Sequence, residues 1–388
     1  MVAKIQITQL RILVILATFL VVGSVGTTIS LYARGFRLDF KSLKLQPNGI
    51  LVIKSDPDGA SVYINGNLKT ATNATVPLPS GTYDVEVRHE GFLPWRKRLT
   101  IQQEIVTNVT ASLFRLAPSF TPLTFDGAVA PVASSDFTKV AYANSEGLWV
   151  METVNLPIGF AKEPRRVTDG DLTAATWSFS PDATQIILNF QGGIYLMEAN
   201  SFTAQGQRVN VASRAEAILS QWADEEKQVL SAQTRSLPPV LSDILTRKSR
   251  KVTFSPDENM ILYTASSSTE LPVDLIRPVP GASTQPQERT IKEHQTYLYD
   301  IKEDRNFLIE ESLEGKTLAW FPTSRHLVLA EAGRVVVMDY DGTNRQVVYS
   351  GSYAAPYVFP FASTSRLLIL TNLGAEGALP NLYSLTLK

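Results

Sequence analysis

Residues 55–66 read SDPDGASVYING. Pro57, Asp58 and Gly59 are turn formers, Ala60 opens a short alternating run, and Asn65-Gly66 closes it. A two-residue type I′ hairpin needs positive φ at both central positions, which Asn-Gly supplies at little steric cost. Val62 and Ile64 fall on one face of the run, so the stretch reads as the corner of a small β-unit rather than a ligand loop. Further strand-like runs lie on both sides: GILVIKS before it, then TYDVEV, WRKRLTI and NVTASLF, with PLPSG and HEGF as breaks. Tyr83, Val85 and Val87 share one face, as do Val109, Ala111 and Leu113. Residues 49–116 are thus expected to form an all-β unit of a size that can fold alone.

Upstream, residues 12–33 (ILVILATFLVVGSVGTTISLYA) carry no charge, and as a helix they are long enough for a hydrocarbon core of about 30 Å. A cleaved signal peptide would place Gly23, Ser24 and Gly26 near the cut. The apolar run continues past them to Leu31 and Tyr32, which favours an uncleaved transmembrane anchor. Lys4 and Arg11 precede it; Arg34, Arg37, Lys41 and Lys44 follow, a bias that taken alone keeps the body cytoplasmic. Residues 34–48 read as a basic, polar linker, and residues 1–11 as an N-terminal flank.

GILVIKSDPDGASVYING and LPSGTYDVEVRHEGF resemble the PEGA domain family, named for a Pro-Glu-Gly-Ala turn that here reads Pro57-Asp58-Gly59-Ala60. Gly66, Gly81, Tyr83 and Gly91 fall at the family's later turn and strand positions. The resemblance implies an extracytoplasmic module that binds or spaces, with motif residues that are structural. It therefore places the body outside the cytoplasm, against the charge bias.

From residue 117 the texture changes and related phrases recur: VASSDFTKVAYANSEGLWVMET, SFSPDATQIILNFQGGIYLMEAN, TFSPDENMILYTAS, AWFPTSRHLVLAEAGRVVVMDYDG and PFASTSRLLILTNLGAEGALPNLYSL. A weaker copy is QWADEEKQVLSAQ, where Trp222 and Gln228 align with Phe179 and Gln185. Most intervals are about 40 to 46 residues, the range of propeller blades. One four-stranded blade cannot bury both faces alone, whereas stacked blades can. The expected fold class is all-β: a transmembrane helix, the PEGA-like domain, and an irregular β-propeller over 117–388 with five to seven blades, six favoured by the copies. The phrases resemble TolB-type and related WD-type propellers. Ser180-Pro181-Asp182 and Ser255-Pro256-Asp257 form the repeat turn, and Ala183 and Glu258 stand where glycine often follows. Two intervals depart from the pattern. Residues 236–251 suggest a short helix with a proline start, pairing Val240 with Ile244 and Leu241 with Leu245. Residues 266–293, rich in Pro, Ser and Thr, read as a long loop insertion.

Composition narrows function. A net charge of −1 gives no field for nucleic acid. The absence of cysteine excludes disulfides, thiolate catalysis and Cys-based metal sites. His89, His294 and His326 are scattered without ligand spacing, and His89 and His326 are expected at the surface. No catalytic, cofactor-binding or metal-binding residue is expected. DYDGTN (339–344) reads as a hairpin tip, and DGD (169–171) and ADEE (223–226) as solvated turns. RKSRK (247–251) and WRKRL (95–99) read as solvated basic faces. Trp149, Trp177, Trp222 and Trp320 are expected to pack between blades. The expected function is non-catalytic: a membrane-anchored envelope protein presenting a propeller to a protein or glycan partner. The alternatives are an exported propeller hydrolase or lyase, and a membrane-tethered cytosolic sensor.

Overall fold

A computed structural model describes residues 9–33, 36–39, 44–154, 163–362 and 365–388. Helix α1 spans Gln9–Ala33, about 37 Å at 1.5 Å per residue. Its segment Arg11–Leu31 has a mean hydropathy of 2.4 and is covered by none of the other described residues. By length and composition it can cross a membrane. The chain divides into two compact units.

The first unit comprises Met1–His89, Pro94–Ser112 and Gly281–Thr284. Its strands are β1 (Phe36–Asp39), β2 (Lys44–Asp56), β3 (Ser61–Ile64), β4 (Asn67–Ala71), β5 (Ala74–Pro79), β6 (Gly81–Arg88), β7 (Trp95–Ile101) and β8 (Val106–Ser112). β2 pairs antiparallel with β1 and β5 and parallel with β8; a second sheet runs β4-β3-β6-β7. Val62, Ile64, Val85, Val87, Val109 and Ala111 are buried, as their alternation requires. Two expectations are corrected here. Residues 34–48 are not a plain linker, because Phe36–Asp39 pairs with residues 44–47. PLPSG is not only a break, because Pro77 and Pro79 belong to β5, an edge strand that tolerates missing N–H donors. The 281–284 tetrapeptide covers the β7 edge: Thr100 donates its N–H to the Ala282 carbonyl at 2.9 Å. Gly49 is required by close approach, since a Cβ there would lie 2.2 Å from the Gln102 carbonyl oxygen.

The second unit comprises Glu90–Leu93, Leu113–Pro280 and Gln285–Lys388. Among the described residues it holds five four-stranded antiparallel sheets, over 129–169, 176–210, 249–310, 317–350 and 358–386. The fifth takes its outer strand from Ser119–Pro122, which pairs with Asn381–Thr386, so the two ends of the unit share one sheet.

Alternation along the second strand divides the two faces of the first, fourth and fifth sheets between neighbouring sheets. Val140 and Tyr142 of the first sheet pack with Leu368 and Leu370 of the fifth, while Ala141 and Ala143 pack with Ile186 and Leu188 of the second. Leu367 and Ile369 meet Val328 and Ala330 of the fourth sheet, and Leu327 and Leu329 meet Met260 and Leu262 of the third. The packed order is third, fourth, fifth, first, second. Both faces are dry, so these strands read as continuous apolar runs.

The weak copy at Trp222 is not a strand. Helix α2 (Ala215–Thr234) runs through it, and ADEE lies on that helix rather than in a turn. AEAILSQWADEEKQVLSAQT lacks Gly, Pro and strand alternation and is dominated by good helix formers. Helix α3 (Pro239–Arg247) begins at its proline and buries Leu241, Ile244 and Leu245. These side chains pack against Ile261, Tyr263 and Tyr297, on the face of the third sheet turned away from the fourth. Among the described residues this unit therefore holds five four-stranded sheets where six blades were favoured, with a helical pair in the interval assigned to the weak copy.

Candidate functional site

The PEGA-type turn is a fixed corner. Gly59 has φ 78, and Asn65 and Gly66 have φ 48 and 80, as a type I′ hairpin demands. Asp58 Oδ1 accepts the Asn73 side-chain N–H at 3.0 Å, and the Ala60 N–H donates to Thr72 Oγ1 at 2.9 Å. Pro57-Asp58-Gly59-Ala60 is thus tied to the next turn by hydrogen bonds. Gly81 opens β6, the Tyr83 hydroxyl donates to the Pro79 carbonyl at 2.9 Å, and Gly91 takes φ 79.

The repeat turn is equally local. Asp182 Oδ1 accepts the Ser180 hydroxyl at 2.6 Å, the Thr184 N–H at 3.0 Å and the Thr184 hydroxyl at 2.8 Å. Asp257 repeats this with Ser255 and Asn259, and Asp136 with Ser134 and Thr138. Phe137, Ala183 and Glu258 follow these aspartates with φ 55, 55 and 56. That left-handed conformation explains the preference for glycine there. Adjacent turns touch: Lys139 Nζ donates to the Ala183 carbonyl at 2.6 Å, and the Asp257 N–H to Ser324 Oγ at 3.0 Å. Pro181 joins the contact through its carbonyl, 3.2 Å from Ser135 Oγ, while Pro256 is exposed in its turn.

His326 is buried rather than at the surface. Its Nδ1 lies 2.6 Å from Thr323 Oγ1, its Nε2 3.7 Å from Asp339 Oδ1, and its ring packs edge-on against Phe114 and Phe321. The surface expectation fails because this sheet has no solvent face. Trp177 and Trp320 pack in inter-sheet clusters, Trp222 is buried on α2, and Trp149 is half-buried with its indole N–H on Asn144 Oδ1 at 3.0 Å.

A groove of about 630 Å³ opens where the helical pair meets the third sheet. Leu237, Phe254, Leu275 and Ile301 line it together with Gln233 and Glu258. Leu275 comes from the long loop, which is pinned rather than loose. Asp304 accepts the Leu275 N–H at 3.1 Å, pairs with Arg289 at 3.3 Å and accepts the Tyr299 hydroxyl. Burial, reinforced by Asp304, pushes the Tyr299 phenol well above its ordinary value, so it stays a donor. Sequence reading marked this loop and named Glu258 only as a repeat-turn position; the Pro238-Pro239 helix start, with Pro238 itself on the lining, was the nearest signal.

Residues 48–116 match the PEGA domain, so the chain carries that domain on the C-terminal side of its apolar helix, with Phe36–Asp39 between them. A comparison with curated proteins finds no match. Among solved structures, a protein described as TolB from Agrobacterium tumefaciens is 14% identical over 67% of this chain and 78% of its own, with a TM-score of 0.24. TolB from Acinetobacter baumannii is 13% identical over 78% of this chain, which spans 59% of that one, with a TM-score of 0.21. An acylaminoacyl peptidase from Pyrococcus horikoshii is 10% identical over 68% of this chain and 39% of its own, at 0.23.

Proposed function

We propose that this chain is a non-catalytic envelope protein, anchored by α1, with its PEGA domain as a wall-proximal spacer and its sheet array as a binding platform. The observation that carries the reading is the order of parts: an apolar helix, then a PEGA domain. The array is read as a propeller of five blades in which α2 and α3 take the sixth position. Support comes from the packed order of the sheets, from α3 on the third sheet, and from α2 adjoining the segment after the second. The groove beside that helical pair suits an apolar side chain of a protein partner. A non-catalytic reading is supported by His326, the one histidine paired with a buried aspartate among the described residues, because it is closed in by Phe114 and Phe321.

Cross-linking in intact cells, followed by purification of the full-length chain, tests the reading. The expected outcome is an envelope protein joined to residues of the second unit. Recovery of cytosolic proteins alone would contradict it.

A further inference from the structure

The first strand of the third sheet, Ser249–Phe254, is interrupted within the basic run RKSRK. Arg250 pairs with Thr264 and Thr253 with Leu262, so Lys251 and Val252 stand opposite Tyr263 alone. This is a β-bulge, and Lys251 has φ 52 within it. Regular pleating sends consecutive side chains to opposite faces. Here Arg250 and Lys251 both line one pocket of about 480 Å³. His294, from the turn before the next strand of the sheet, lines it too and has φ 69. Two non-glycine residues in left-handed conformations thus serve one pocket, and held strain of this kind concentrates at functional sites.

The polar groups there favour an anion. Arg250 Nη2 lies 3.1 Å from His294 Nδ1. A guanidinium can only donate, so Nδ1 accepts and the ring proton sits on Nε2, 3.5 Å from Glu293 Oε1. Arg250 therefore bonds an imidazole nitrogen rather than a carboxylate, and Lys251 makes no ion pair among the described residues. Ser312 Oγ accepts the Glu314 N–H at 3.2 Å and keeps its own proton to donate. Thr264 is buried and bonded to Thr296 at 2.9 Å. Glu314 is the one carboxylate on the lining.

We propose that this pocket binds the oxyanion group, carboxylate or phosphate, of a small ligand, with Arg250 and Lys251 as its principal charges and Ser312 as a donor. The site is separate from the groove and does not depend on which side of a membrane the body faces.

The test titrates the full-length chain, in neutral detergent at low ionic strength, with inorganic phosphate and separately with acetate, following heat of binding. Saturable binding of either anion is expected, and the tighter one identifies the group. Lys251→Gly suits the left-handed backbone, so it should keep or raise the thermal midpoint while weakening binding at least tenfold. Glu314→Gln should tighten binding severalfold, and Lys69→Gln, on β4, should leave it unchanged. Failure of both anions to saturate at millimolar concentration would overturn the proposal, as would Lys251→Gly binding like the parent chain.

Discussion

Asp136, Asp182 and Asp257 each satisfy the backbone of a turn that ends in a left-handed residue. Hydrogen bonds from Ser180 and Thr184 hold the Asp182 carboxyl below its usual range. At Asp136 and Asp257 burial works the other way, but the bonds from Ser134 and Thr138, and from Asn259 and Ser255, outweigh it. A carboxyl depressed in the folded state stabilises the fold above its unfolded value of about 3.9, and that contribution is lost as pH falls through the folded value. Resistance of the second unit to denaturant should therefore fall as pH drops from about 4 through the lower folded values. The triple variant D136N/D182N/D257N keeps the acceptor oxygens and should lose less stability over that window; an unchanged acid dependence would contradict the account. These turns were legible in sequence because the groups that bond each carboxylate lie two residues away. The corner at Pro57 to Gly66 was legible from its own turn residues, although the Asn73 and Thr72 side chains that tie it down come from the next turn. The pocket was not: RKSRK was noticed as charge, but its bulge depends on pairing with residues 262–264, and His294 was set aside for lacking a nearby second histidine.

At the scale of elements, α2 and α3 show how far a repeat can mislead. Trp222 and Gln228 align with a true copy, yet the residues between them are helix formers, and local propensity overrode a two-position match. α3 was read correctly because Pro239 and the Leu241 and Leu245 spacing carry a mechanism of their own. Its packing yields a graded expectation. Leu245→Ala opens a cavity against the third sheet and should cost about 2–4 kcal/mol. Val240→Ala, at a position 45% exposed, should cost under about 0.5 kcal/mol. Equal losses in urea unfolding would show that α3 does not close that face.

At the scale of the whole molecule, the pairing of Ser119–Pro122 with Asn381–Thr386 joins ends that no local pattern connects, which is why it could not be foreseen. The membrane side is likewise a question of the whole chain, since flanking charge favours a cytoplasmic body and the proposed envelope role an external one. The natural absence of cysteine makes this measurable, because one introduced thiol is the only target. Ser201→Cys, exposed in the second unit, and Lys4→Cys, before the helix, can be probed in intact cells with a membrane-impermeant maleimide. The account predicts labelling at residue 201 before lysis and at residue 4 only after it. Labelling at residue 4 with residue 201 protected until lysis would place the body in the cytoplasm and contradict it.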